Sequence, residues 1–161
     1  HIAQEEALCH VTSLYSVLNG LRDKVYDKRT AKAPFYNNEI IISPNIVCEN
    51  EVGDWNTTTI ITCAAPNLSR EKFLPNDYEN IMRERIKLML KAFKYAGIKN
   101  PILGAFGCGV FKNPPELVAK LFKEEILKVF NEFKKPFDKI YFVIPEGSNF
   151  DAFHREFKDM L

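Results

Sequence analysis

Three glycines close together mark the part of the chain best suited to bind a ligand. Gly104, Gly107 and Gly109 follow an apolar run, Pro101 to Ala105, and precede an amphipathic stretch. A glycine-rich loop between a strand and a helix N-terminus can turn its N–H groups toward an anion, and the helix dipole adds positive potential. The alternative is a tight strand-to-helix turn without a ligand. The pattern favours a phosphate site.

The glycine spacing, G-x-x-G-x-G, narrows the type of phosphate ligand. The Gly-Lys-Ser/Thr sequence of a nucleoside triphosphate loop does not follow, and the spacing differs from the G-x-G-x-x-G of dinucleotide-binding turns. Phe106 and Phe111 flank the glycines, and we expect them to face a sugar or a base. The loop is therefore predicted to bind the diphosphate of a nucleoside diphosphate derivative.

The cysteines predict neither a nucleophile nor a metal site. A phosphatase built on Cys108 would need an arginine about six residues later to clamp the phosphate, and positions 109–116 contain none. Cys108 is instead predicted to pack behind the loop. Cys9, Cys48 and Cys63 stand far apart without a CxxC pair, so we expect reduced thiols in a cytoplasmic protein, with no zinc and no other cofactor.

Two adjacent acids, Glu5 and Glu6, follow Gln4 at the start of the first predicted helix. Acidic side chains in a first turn often serve only to complement the helix dipole. Adjacent residues also point about 100° apart, so one carboxylate could bind a sugar hydroxyl while the other transfers protons. A carboxyl group that acts as a general acid needs a raised pKa, which here requires shielding from water.

Periodicity predicts a helix over 4–19 that ends at Gly20, followed by a loop over 21–38. Short β-type runs follow at 39–42 and 45–48, separated by Ser43 and Pro44. The residues 57–65 are predicted to form a strand buried on both faces. Three further units follow. The first is a helix over 78–96 that ends at Gly97 and has one apolar face, formed by Met82, Ile86, Met89, Phe93 and Ala96. The second is a strand over 101–105 with a helix over 114–133, and the third is a buried strand over 139–144 with a last helix whose apolar face is formed by Phe150, Phe153 and Phe157. Asn113 is predicted to cap the 114–133 helix, with Pro114 at its first position and Glu116 closing a capping box.

This alternation predicts an α/β sheet with helices on both sides. In such sheets ligands bind beyond the carboxyl ends of parallel strands. We therefore expect the glycine loop, the Ala65–Asn67 turn and the Pro145–Phe150 turn to gather at one edge of the sheet and form a pocket.

Composition and length indicate one ordinary globular domain. The chain has 161 residues, of which 46% are hydrophobic and 27% charged, and its net charge is +1. Because basic and acidic residues balance, nothing favours binding to nucleic acid or to a membrane surface. No apolar run reaches the roughly 18 residues of a membrane span, and the first residues do not read as a signal peptide.

Three segments together resemble the bacterial-type poly(ADP-ribose) glycohydrolases, which have a macrodomain fold. They are Gln4-Glu5-Glu6-Ala7-Leu8-Cys9, Ala64-Ala65-Pro66-Asn67 and Gly104-Ala105-Phe106-Gly107-Cys108-Gly109-Val110-Phe111-Lys112-Asn113. The resemblance extends over nearly the whole chain, 1–161. It implies a three-layer α/β/α fold with a mixed central sheet, and ADP-ribose or poly(ADP-ribose) on modified proteins as the bound partner.

The resemblance also implies a role for each site residue. Glu6 looks like the acid that protonates the leaving oxygen and later activates water, and Glu5 looks like its partner on the ribose hydroxyls. The loop would wrap the diphosphate, Phe111 would pack against the distal ribose, and the turn at Ser148 to Phe150 would contact adenine. The substrate-binding residues implied in this way are Gln4, Gly104, Ala105, Phe106, Gly107, Cys108, Gly109, Val110, Phe111, Asn149 and Phe150. Neither a metal nor a cofactor is required.

One feature of the family is missing from this sequence. Its members carry a glycine triplet shortly before the acidic pair, and further strands before that, whereas this chain begins at His1. We therefore expect a C-terminal portion of the domain, with an exposed sheet edge that a second chain or fragment would complete.

The leading hypothesis for function is hydrolysis of ribose–ribose bonds in poly(ADP-ribose), because both acids are retained. The alternatives are a non-catalytic ADP-ribose-binding module and an enzyme that removes single ADP-ribose groups from protein side chains.

Overall fold

The N-terminal part of the chain forms two short helices where one was predicted. The computed structural model describes residues 4–26, 38–50 and 52–160. Helices α1 (Gln4–Val11) and α2 (Leu14–Asn19) are separated by Thr12 and Ser13. The Ser13 N–H donates to the Val47 carbonyl at 3.0 Å, and the Ser13 hydroxyl accepts from the Val47 N–H at 2.9 Å. The prediction of a continuous helix over 4–19 is therefore wrong. Helical periodicity within this segment does not reveal that Ser13 forms hydrogen bonds with Val47 of a strand 34 residues later.

The predicted loop over 21–38 also differs in part from the structure. Arg22–Tyr26 form one turn of π-helix. Residues 27–37 lie outside the described part of the chain.

The next two strands form an antiparallel ladder. Strand β1 (Ile40–Glu49) joins the two predicted β-type runs into one, because a bulge between Ser43 and Ile46 absorbs Pro44 and leaves Asn45 at φ 56°. Strand β2 (Trp55–Cys63) confirms the predicted strand. The prediction that the strand is buried on both faces is wrong, because Thr57 and Thr58 are exposed and most of the later residues are only half-buried.

The rest of the chain confirms the predicted alternation of helices and strands. It consists of α3 (Tyr78–Tyr95), β3 (Ile102–Leu103), α4 (Pro115–Glu132), β4 (Tyr141–Phe142), α5 (Ser148–Phe157) and a final 3-10 turn (Lys158–Met160). Strands β3 and β4 are parallel, as expected, although each is only two residues long. Within the described ranges, β1–β2 and β3–β4 form two separate two-stranded ladders.

The main core lies between α3, α4 and α5. It contains the predicted α3 face, Met82, Ile86, Met89 and Phe93, together with residues of the other two helices, Val118, Phe122, Ile126, Phe153 and Phe157. Ala96 and Phe150 are exposed, so the predicted faces are one residue too long at these positions. The 139–144 segment covers the core on one side only, because Tyr141 is 45% and Val143 66% exposed.

A second, smaller core makes the N-terminal part three layers deep. Leu14 and Leu18 of α2 pack against Ile41 and Ile46 on one face of β1. Side chains of the opposite face, including Ile40 and Ile61, pack against the main core. The hairpin thus lies between α2 and α3, as a helix–sheet–helix fold requires. In the described ranges no helix is both long and apolar enough to cross a bilayer.

Candidate functional site

The glycine loop and the turn after β2 lie side by side, as expected from their positions after two strands. The Leu68 N–H donates to the Phe111 carbonyl at 2.9 Å, and the Val143 N–H donates to the Leu103 carbonyl at 2.8 Å. A side chain built at Gly104 would lie 3.9 Å from the Val143 carbonyl oxygen, two residues before the Pro145–Phe150 turn. The three segments predicted to form the pocket therefore start from one edge of the structure.

Of the three loop glycines, only Gly107 has a backbone conformation and surroundings that require glycine. Its φ is +72°, and a Cβ atom there would collide with the side chains of Asn113 and Ala65. Gly104 and Gly109 have no such φ, and nothing lies within 4 Å of a Cβ built at Gly109. A Cβ atom built at Gly104 would lie 3.9 Å from the Gln4 side-chain amide, an ordinary van der Waals distance, so the Gln4 side chain lies beside Gly104.

Asn113 connects the two neighbouring segments by its side chain. Its Nδ2 donates to the carbonyls of Pro66 at 2.9 Å and Gly107 at 2.8 Å, and its Oδ1 accepts from the Tyr78 hydroxyl at 2.8 Å. Asn113 and Tyr78 are 1% and 0% exposed. Burial raises the pKa of Tyr78, which keeps the hydroxyl protonated and able to donate. We refer to this arrangement as the Asn113 clamp.

The clamp replaces the predicted helix cap. Pro114 stands at the N-cap position of α4, and no side chain there bonds to the helix backbone. The predicted cap at Asn113, with Pro114 as first helical residue and Glu116 closing a capping box, is therefore wrong. The Asn113 amide is used in tertiary hydrogen bonds, which a local sequence pattern does not distinguish from a cap.

A buried arginine supports the start of the turn after β2. Arg85 of α3 is 1% exposed, and its guanidinium donates to the Ala64 carbonyl at 2.6 Å and to the Asn38 side chain at 3.2 Å. Sequence analysis missed both Arg85 and Tyr78. An arginine in an amphipathic helix normally reads as part of its solvated face, so no local signal could have identified it.

Cys108 packs behind the loop, as predicted. Its sulfur lies 3.6 Å from the Phe106 carbonyl oxygen, and both residues pack against the main core. Burial, with a smaller contribution from Glu116, raises the pKa of the Cys108 thiol to about 12. The thiol is therefore protonated at neutral pH and is a poor nucleophile. Phe106 is only partly buried where it packs on the core, so the expectation that it faces a sugar or a base stays a prediction.

The acidic pair lies on α1, an α-helix that has no buried residue. Gln4 and Glu6 are exposed, and Glu5 is half-buried. The pKa of Cys9 is raised by burial and then by the charges of Glu5 and Glu6, so both carboxylates lie near that thiol. The expected shielding of the general acid from water is not present at Glu6. The Gln4 side chain nevertheless lies beside Gly104, which places the start of α1 next to the glycine loop.

The remaining predicted site residues line two different parts of the same region. Ala105 is half-buried and Gly109 and Val110 are exposed in the loop, while Phe111 is half-buried at its end. Asn149 and Phe150 lie in the first turn of α5, where the Phe150 ring stacks on His154 with centroids 5.6 Å apart. Within the described ranges, no group of three or more metal-binding side chains comes together.

Comparison with known proteins agrees with the resemblance seen in the motifs. Residues 1–50, which include the acidic pair, match the family model of the microbial-type PARG catalytic domain. No curated protein sequence matches the chain.

Solved structures match the chain over almost its full length. Poly(ADP-ribose) glycohydrolase from Deinococcus radiodurans in complex with ADP-ribose matches with a TM-score of 0.82 and 28% identity, over 99% of this chain and 69% of that one. The enzyme from Thermomonospora curvata bound to the inhibitor ADP-HPD matches with a TM-score of 0.81 and 26% identity, over 98% and 63%. The predicted resemblance to bacterial-type poly(ADP-ribose) glycohydrolases is confirmed, and so is the macrodomain-like α/β fold.

Proposed function

From this likeness to the microbial-type glycohydrolases, we propose that the chain hydrolyses ribose–ribose O-glycosidic bonds in poly(ADP-ribose). The observation that carries the proposal is the position of the Gln4 side chain beside Gly104, because it brings the start of the acidic helix next to the glycine loop. The D. radiodurans enzyme, which the chain matches over 99% of its length, binds ADP-ribose in its solved structure.

The glycine loop is suited to hold the diphosphate of ADP-ribose. Loop N–H groups of Cys108, Lys112 and Asn113 are used in hydrogen bonds to loop carbonyls. Those of Gly107, Gly109 and Val110 have no acceptor in the part of the chain that the structure describes. Exposed backbone donors of this kind bind phosphate oxygens. The clamp at Asn113 holds the Gly107 carbonyl away from the anion by engaging it in hydrogen bonds.

Glu6 is the residue that we assign to proton transfer. Cleavage of a glycosidic bond passes through an oxocarbenium-like state, in which the leaving oxygen needs a proton. Glu6 would donate that proton and then accept one from the attacking water, so that ADP-ribose and a shortened polymer are released. Because Glu6 is exposed in the free protein, the bound substrate itself must exclude water from this carboxyl group. The substrate diphosphate would stabilise the positive ribose.

A turnover assay on poly(ADP-ribose) tests this assignment. We expect the chain to release ADP-ribose, and Glu6→Gln to lower kcat by at least about 100-fold, as loss of a general acid does. ADP-ribose affinity, measured by calorimetry, should change little. Glu39→Gln is the matched control, since Glu39 is also exposed and lies outside the site. Unchanged turnover in Glu6→Gln would remove Glu6 from this role.

The same assay separates the other candidate functions. ADP-ribose binding without any turnover by the wild-type chain would indicate a binding module. Turnover only on mono-ADP-ribosylated proteins would indicate cleavage of the bond between ribose and a protein side chain. We further propose a cytoplasmic location, supported by the four cysteines, none of which forms a disulfide in the structure.

A further inference from the structure

A shallow groove lies directly beside the glycine loop, on the side of the turn after β2. It has a volume of about 230 Å³ and is lined by Leu68, Ser69, Glu71, Lys72, Phe73, Leu74, Lys112 and Pro114. We call it the flanking groove. None of its residues is among those that the motifs assign to ADP-ribose. We propose that the flanking groove binds the diphosphate and adenine of the neighbouring ADP-ribose unit in the polymer, an inference that rests on the proposed function.

The charges in the groove suit a diphosphate. Lys72 and Lys112 contribute two positive charges, and Glu71 is the one acidic residue of the lining. Neither lysine ammonium group forms an ion pair or hydrogen bond within the described ranges. By contrast, most lysines of the helices α3 and α4 form ion pairs, for example Lys91 with Glu132 and Lys128 with Glu125. The groove therefore offers unpaired cations to a bound anion.

An exposed aromatic ring accompanies the two lysines. Phe73 is 85% exposed, more than the other large apolar side chains of the described chain. An aromatic ring beside basic side chains is a common arrangement for nucleotides, because the ring stacks on a base while the cations contact phosphates. An adenine stacked on Phe73 would cover this apolar surface, which is otherwise left in water.

The groove is continuous with the proposed catalytic site. The hydrogen bond from the Leu68 N–H to the Phe111 carbonyl joins its wall to the glycine loop, and Lys112 follows Phe111 directly. By resemblance, Phe111 packs against the distal ribose, whose glycosidic bond is cleaved. The next polymer unit begins at that bond, so Lys112 and then Lys72 lie on its path away from the site.

Charge reversal at Lys72 tests the proposal on the full chain. We expect Lys72→Glu to raise KM for oligomeric poly(ADP-ribose) about tenfold with little change in kcat, as loss of a contact outside the reacting bond does. The affinity for free ADP-ribose, measured by calorimetry, should change less than twofold. The matched control is Lys134→Glu, which makes the same charge change at an exposed lysine beyond the opposite end of α4.

Substitution of Phe73 tests the stacking step separately. We expect Phe73→Ala to raise the polymer KM about threefold and Phe73→Trp to restore it, because tryptophan keeps the stacking surface. Since Phe73 is exposed, neither change should alter thermal stability.

Three results would overturn the flanking groove as a polymer subsite. One is an unchanged polymer KM in Lys72→Glu. A second is an equal loss of affinity for free ADP-ribose, which would place the groove in the primary site. A third is a KM increase confined to mono-ADP-ribosylated proteins, which would mean that the groove contacts the carrier protein. Failure of the proposed function is distinct, because the wild-type chain itself would then not cleave the polymer.

Discussion

The glycine loop and helix α1 carry the two halves of the proposed site, yet the chain holds them in very different ways. The loop is fixed from beneath by the Asn113 clamp and by the packing of Cys108 and Phe106 on the main core. Helix α1 has no buried residue, and its first side chain lies beside the loop at Gly104.

This difference separates binding from catalysis in physical terms. A diphosphate site needs backbone donors in fixed positions, and buried hydrogen bonds provide them at no cost when the ligand arrives. The acidic helix has little packing of its own, so its position depends more on the ligand that it contacts. We expect substitutions in the loop to affect stability and affinity together, and substitutions in α1 to affect turnover with little change in stability.

The largest effect is expected at Gly107. Gly107→Ala forces a side chain into a left-handed backbone and against Asn113 and Ala65, so the free energy of unfolding should fall by about 4 kcal/mol. ADP-ribose affinity should fall with it. Urea unfolding and calorimetry measure the two effects. Gly109→Ala is the control, because nothing lies within 4 Å of its Cβ position. Equal stability of both variants would contradict this role of Gly107.

The Asn113 clamp should give the next largest effect. Asn113→Ala leaves the buried carbonyls of Pro66 and Gly107 without their side-chain donor, which should lower the free energy of unfolding by about 3 kcal/mol and weaken ADP-ribose binding. Tyr78→Phe removes one hydrogen bond and should cost about 1 kcal/mol. Urea titration of both variants checks the order. A Tyr78→Phe loss as large as that of Asn113→Ala would mean that the clamp does not depend on the amide.

The same substitution at two valines, one in each region, compares how firmly the regions are packed. The change in α1 is expected to have the smallest effect on the free energy of unfolding. Val118 of α4 is 0% exposed and Val11 of α1 is 66% exposed. We expect Val118→Ala to lower the free energy of unfolding by about 2 kcal/mol through the cavity that it leaves. The same change at Val11 should cost about 0.5 kcal/mol or less. If Val11→Ala destabilises the chain as much as Val118→Ala, α1 is not the loosely packed helix described above.

Local patterns predicted the long helices and the presence of a ligand loop, but not the contacts between them. The apolar spacing of α3 identified Met82, Ile86 and Phe93 as core residues, since a helical face is visible in the sequence. The break at Thr12 and Ser13 depends on hydrogen bonds to β1, and a helical pattern continues through it. The same limitation produced the wrong cap at Asn113.

What the sequence by itself determined is the chemistry available: the acidic pair, the glycine loop, their order and the α/β alternation. These are local properties, set by residue type and by spacing along one element. Only the tertiary structure decided that Gly107 is the one loop glycine that a side chain could not replace, that Asn113 and Tyr78 fix the loop, and that Arg85 supports the neighbouring turn. The reason is that buried polar groups must find hydrogen-bond partners wherever the fold places them, and those partners lie far away in the chain.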